Sequence, residues 1–250
     1  PANRYVVRHA VNAVFGWVGI VYSGRLAARL FGGWAGVLAM ILLASSPRYF
    51  GDAMNNPKDL PFAAMSVAAL YYASTISRSF PFVSVRTGLG LVVALALALN
   101  IRAAALMYLG YAGLLVMGYA VAERGFTRRR VADTTVRLAI VSIAVLVLGT
   151  LCWPWAQVSP LVRPIQALLG FTNFPYAGDM LYAGRLISTD AAPRTYVPWW
   201  FLISTPPVVL AGVLLASTQG VRRYAAPLLL LASVASVPVA LVIVMRSTLY

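Results

Sequence analysis

SPRYFGDAMNNPKDLP, residues 46–61, is a polar, turn-rich interruption between two apolar runs. It gathers Arg48, Asp52, Asn55, Asn56, Lys58 and Asp59 into twelve residues of a chain that is 61% hydrophobic. Asn-Asn-Pro is a turn signal, so a solvated connector is the plain reading. The alternative is one wall of an active site at a membrane surface, and the flanking sequence favours it.

Outward from this stretch the chain is apolar almost everywhere. Only 10% of its 250 residues are charged, where a soluble domain carries roughly 25%, and the mean hydropathy is +0.81. These values describe a polytopic membrane protein. A spanning helix needs about 20 apolar residues, within a range of about 17–25. Candidate runs lie at 5–22, 33–49, 60–77, 84–100, 103–122, 138–155, 197–217 and 225–245. The expected fold is all-α: a transmembrane bundle of about eight spans in a single domain over 1–250, with one long outer loop over 156–196. Only Ile101 and Arg102 separate the fourth and fifth runs. One helix over 89–120 would be about 48 Å long at 1.5 Å per residue, so a tight hairpin with Arg102 at its tip is expected instead. Pro1 opens the chain and Tyr250 follows directly on an apolar run, so a fragment of a longer chain is expected.

Alternation of the spans sorts the cations to two sides, eleven to nine. Five arginines between Arg124 and Arg137 decide the orientation, because such a short loop is strongly retained in the cytoplasm. The stretch 46–61, the Arg102 tip and the long loop then face outward, and the expected location is the plasma (inner) membrane. The formal charge of +14 is scattered between apolar runs rather than along one face. That pattern fits membrane lipids and phosphate-bearing substrates as partners, and not nucleic acid. One cysteine and one histidine remove most support for a metal cluster or a Ser-His-Asp triad. No cofactor is required, and the two aspartates of the stretch leave a divalent metal open.

Within 46–61, Asp59 and Asp52 are the candidate catalytic carboxylates, able to take a proton from an acceptor. Lys58 and Arg48, joined by Arg102, can neutralise a phosphate. Asp59 is also well placed as an N-cap for a helix beginning near Leu60. Asn55 and Asn56 are candidate sugar or acceptor contacts. Tyr196 and Trp199 join them, beside the Trp-rich ends of the long loop, although an aromatic belt at the headgroups is the plainer reading there. The run 171–176 inside that loop is a further aromatic-polar segment. A lipid-headgroup transporter or a membrane scaffold is the competing function. A transporter would carry charge deep within several spans, and here most charge lies at their ends.

SPRYFGDAMNNPKDLPFAA (46–64), preceded by GRLAARLFGGWAGVLAMILLA (24–44), resembles the second-loop region of polytopic GT-C glycosyltransferases. These are relatives of protein O-mannosyltransferases and of bacterial enzymes that add sugars to lipid A. NIRAAAL (100–106) and YVPWWFLISTPP (196–207) extend the resemblance. It implies inverting transfer of a sugar from a polyprenyl-phosphate donor on the outer face of the membrane. It further implies that 5–22 corresponds to the second family helix, and that Asp59 matches the acidic position of the second loop. The main catalytic aspartate of the family would then lie in a first outer loop upstream of Pro1.

Overall fold

The structure, a computed structural model, describes residues 2–79, 83–124, 127–170 and 178–244. Its internal contacts divide it into two compact units, Pro1–Gln166 and Ala167–Tyr250.

The first unit is helical throughout its described residues. Helix α1 (Ala2–Phe31) turns at Gly32 into α2 (Gly33–Ala44), and after Ser46 the chain enters α3 (Pro47–Asn55). Then come α4 (Asp59–Ser79), α5 (Val85–Ile101), α6 (Ala105–Arg124), α7 (Arg128–Gly149), the short α8 (Pro154–Gln157) and α9 (Arg163–Gly170), which crosses into the second unit. At the centre stands α4, packed against α1, α5 and α6. Two-thirds (67%) of its apolar window is buried. Ala64, Ala68, Ala69 and Ala73 line the contacts, because small side chains let helix backbones approach closely where lipid supplies little hydrophobic drive. The core continues through Leu91, Leu95 and Leu99 of α5 to Val145 of α7.

Small residues also set the α1–α2 contact. A Cβ on Gly36 would lie 2.7 Å from the Ala28 Cβ and 2.7 Å from the Gly24 carbonyl. Further along α1, α3 rests on a notch at Gly16 and Gly19. A Cβ on Gly16 would meet the Ala53 Cβ at 2.8 Å, and the Tyr49 hydroxyl donates to the Gly16 carbonyl at 2.7 Å. Thus α2 and α3 return the chain along α1 in two steps, from the Ala28 contact to the His9–Met54 contact.

The second unit holds a hairpin of β1 (Asp179–Tyr182) and β2 (Arg185–Ser188), antiparallel with Tyr182 opposite Arg185. Its two-residue turn, Ala183-Gly184, has positive φ at both positions, 48° and 79°, as the twist of a tight hairpin requires. Next come α10 (Tyr196–Ser204), α11 (Pro207–Leu215) and α12 (Val221–Val244). At Thr205-Pro206 the first two bend by 106°, a break of the kind proline imposes by removing a donor.

The all-α expectation holds apart from that hairpin, but about eight spans are not reproduced. Among the described residues three helices are each long and apolar enough to cross a membrane: Asp59–Ser77, Arg128–Gly149 and Arg223–Leu241. The bent α10–α11 pair would make a fourth. At 12 residues, α2 is only about 18 Å long and does not span alone. Helix α5, with 17 residues, and the apolar part of α6, Ala105–Val121, sit at the short end of the spanning range. The sixth run begins earlier than expected, at Arg128, and ends at Gly149. The stretch 156–196, expected as a loop, carries α9 and the hairpin. The run 171–176 and the tail 246–250 lie outside the described residues.

Candidate active site

The polar stretch is not a loop. Ser46 accepts a hydrogen bond from the Tyr49 amide at 3.4 Å and Pro47 opens α3. This is the Ser-then-Pro start that favours a helix. Asn56 then turns the chain. Its Oδ1 accepts from the amides of Lys58 at 3.3 Å and Asp59 at 2.9 Å. Asn56, rather than Asp59, therefore caps α4, and Asp59 lies in the first helical turn, where a carboxylate favours the helix dipole.

The Asp59 carboxylate is held from two sides. Asn56 Nδ2 donates to Oδ2 at 3.0 Å, and Arg102 pairs with Oδ1. Arg102 occupies the break between α5 and α6, as expected of a tip. Its side chain is 25% exposed and that of Asp59 is 56% exposed, so the pair sits at a boundary rather than in a dry core. The Arg102 Nε is buried and, among the described residues, meets no acceptor. Beside Arg102, Asn100 fastens the ends of two helices. Its Nδ2 donates to Leu148 O at 3.1 Å and its Oδ1 accepts from Cys152 N at 3.3 Å.

One end of the first unit thus collects Asp59, Arg102, Asn56, Asn100 and the start of α1. Here α1 anchors α3: Asn12 Nδ2 donates to Asp52 O at 2.8 Å and Ala53 O at 2.9 Å, and His9 Nδ1 meets Met54 O at 2.5 Å. Asn12 and His9 were not singled out from sequence. A polar Asn inside an apolar run was the available signal. An apolar groove of 320 Å³ opens at the same end of the unit, lined among others by Phe15, Pro57, Pro61, Leu97 and Ile101. Pro57 and Pro61 flank Asp59 along the chain, Leu97 and Ile101 precede Arg102, and Phe15 belongs to α1.

The remaining expected site residues are more dispersed. Asp52 lies on α3, where its carbonyl takes the Asn12 bond. Among the described residues its carboxylate has no hydrogen-bond or ion-pair partner. Arg48 is near the opposite end of α3, and Lys58 is exposed in the turn before α4. Asn55 ends α3 and lines a polar cavity with His9 and Asn12. Tyr196 and Trp199 belong to the second unit, where Tyr196 stacks with Tyr182 at 5.9 Å and with Trp200 at 6.3 Å. Among the described residues, no group of three His, Cys, Asp or Glu side chains converges as a metal site would.

The first unit thus gathers a carboxylate–guanidinium pair and an apolar groove at one end of a helical bundle. A sequence model of the dolichyl-phosphate-mannose-protein mannosyltransferase family matches residues 4–153, more than half of the chain, including α1 to α7 and every site residue of the first unit. The chain belongs to this family, of GT-C type, and is a membrane glycosyltransferase. Comparison with curated proteins and with solved structures returns no match.

Proposed function

We propose that the protein transfers a sugar from a polyprenyl-phosphate donor to an acceptor on the outer face of a plasma membrane. The observation that carries this reading is the Asp59–Arg102 pair, whose chain neighbours Pro57, Pro61 and Ile101 line an apolar groove. The Arg102 guanidinium, a quarter exposed, offers a forked donor that suits a phosphate oxygen. The adjoining groove suits the first part of an isoprenoid chain.

In the reaction, the acceptor hydroxyl gives its proton to a base and its oxygen bonds to the sugar's anomeric carbon. The bond from that carbon to the phosphate oxygen breaks, and its electron pair leaves on the polyprenyl phosphate. Arg102 and the nearby Lys58 neutralise that leaving charge. Both oxygens of Asp59 are already occupied, one by Arg102 and the other by the Asn56 amide. That suits a carboxylate which holds Arg102 in place rather than one that takes the proton. Asp52, whose carboxylate is not so engaged, is the better candidate base within 46–61. Asn56, spent on the cap and on Asp59, serves as a positioning residue rather than as a sugar contact.

The reading is tested with the full-length protein in lipid, given polyprenyl-phosphate-linked radiolabelled mannose and a hydroxyl acceptor. Arg102→Ala is expected to lower transfer at least a hundredfold, and Arg102→Lys to restore only part of it, since a lysine loses the fork that meets a phosphate. Transfer at the wild-type rate in Arg102→Ala would remove the ion pair from the mechanism.

A further inference from the structure

A second polar site lies beside the ion pair, between the start of α1 and the end of α3. The bonds from Asn12 and His9 fasten three successive carbonyls at the end of α3, and they also determine which atoms remain. With Nδ1 donating to a carbonyl, His9 is left with Nε2 as an acceptor. With Nδ2 serving two carbonyls, Asn12 is left with Oδ1. Asn12 is only 2% exposed, and among the described residues its Oδ1 meets no donor. A buried acceptor without a donor is the exception in folded proteins. Asn12 lines a cavity of 280 Å³ whose walls also include Tyr5, Arg8, Asn55 and Pro57.

Arg8, Asn12 and Pro57 also line the apolar groove of 320 Å³. The two cavities therefore share a wall, one side mixed polar and apolar and the other almost wholly apolar, with a cation in the wall itself. We infer that together they hold one amphiphilic molecule, a lipid-linked sugar. The sugar ring sits in the polar cavity against Asn12, His9 and Asn55, and the first part of the chain lies in the groove. Arg8 joins Arg102 on the phosphate between them. Sugar hydroxyls donate and accept at once. One ring can give a hydrogen bond to His9 Nε2 and, with a small shift of the Asn12 side chain, to its Oδ1, while accepting one from the Asn55 amide. The inference rests on the donor class proposed above and adds to it the place of the sugar.

Octyl mannoside is the probe, with octanol as the control that lacks the ring, titrated into the full chain in nanodiscs. Asn55→Trp fills the polar cavity while leaving the Asn12 and His9 bonds in place. Octyl mannoside is expected to bind the wild type more tightly than octanol does, and to bind Asn55→Trp at least tenfold more weakly. Arg8→Gln is expected to raise the KM for a polyprenyl-phosphate sugar at least fivefold with kcat within threefold, and to leave octyl mannoside binding nearly unchanged, since that probe has no phosphate. Equal binding of octyl mannoside to the wild type and Asn55→Trp, or binding no tighter than that of octanol, overturns the inference. If Asn55→Trp and Arg8→Gln both keep the wild-type donor KM while Arg102→Ala fails to transfer, the sugar lies elsewhere and the donor class stands. If Arg102→Ala transfers normally, the donor reading falls and the placement of the sugar falls with it.

Discussion

Asn56 does two separable things, and a pair of substitutions can divide them. Its Oδ1 accepts two amides at the start of α4, and its Nδ2 holds Asp59. Asn56→Ala removes both functions. Losing the cap costs about 1 kcal/mol, and the bond to a half-exposed carboxylate adds at most about 0.5 kcal/mol. For a unit of this size each kcal/mol moves Tm by about 2–4 °C, so a fall of about 2–6 °C is expected. Asn56→Asp keeps an oxygen for the two amides but replaces the donor facing Asp59 with a second carboxylate. The two exposed like charges repel by about 1 kcal/mol when water screens them fully, the lost bond to Asp59 costs at most about 0.5 kcal/mol, and the helix dipole returns about 0.3–1 kcal/mol. Stability should therefore fall by no more than about 5 °C. Transfer should fall at least tenfold, because Asp59 is pushed from the position in which it holds Arg102. Thermal unfolding followed by tryptophan fluorescence, beside the radiolabelled transfer assay, reads both quantities. If Asn56→Asp loses as much stability as Asn56→Ala and keeps full activity, the assignment of Asn56 to positioning Asp59 is refuted.

Other expectations follow from the same geometry. Tyr49→Phe removes one hydrogen bond to the Gly16 carbonyl and should destabilise the first unit by about 1 kcal/mol, measured as a lower Tm with near-normal donor KM. Gly16→Val forces a side chain against Ala53 and should cost about 1–3 kcal/mol, as overpacked contacts do, lowering activity and Tm together. Asn100→Ala frees Leu148 O and Cys152 N, and hydrogen exchange at the end of α7 should rise while that at α4 does not. Cys152 is a free, exposed thiol at the same end of the first unit as Arg102, through Asn100. An impermeant maleimide should label it in intact cells, and labelling only after lysis would reverse the orientation.

Much of this architecture was legible in the chain. The run 60–77 is continuous and apolar, and it became the buried central helix α4. The break at Arg102 followed from length alone, since one helix through it would outrun a bilayer. Helix α3 was hidden because nine amphipathic residues holding Arg48, Asp52 and Asn55 read as a loop, although Ser46-Pro47 is a helix start. The shortness of α2 was missed because the expected run passes through Ser45-Ser46-Pro47 to Tyr49, although Ser46-Pro47 already opens α3. The ion pair was half visible. Asp59 and Arg102 were each suspected from the company they keep, but only tertiary packing brings them together. The cavity at Asn12 could not be read at all, since an orphaned oxygen exists only once α3 has used the amide nitrogen.

The central claim is that Arg102, held by Asp59, receives the phosphate of a lipid-linked sugar. The most direct measurement is donor transfer by full-length wild type, Asp59→Asn and Arg102→Ala, together with the charge-swapped pair Asp59→Arg, Arg102→Asp. Both single variants should fall at least tenfold, Arg102→Ala furthest. The swap, which restores an ion pair but moves the cation onto α4, should remain as poor as Arg102→Ala. Recovery of wild-type transfer by the swapped pair would show that the ion pair only supports the fold, and would contradict the account.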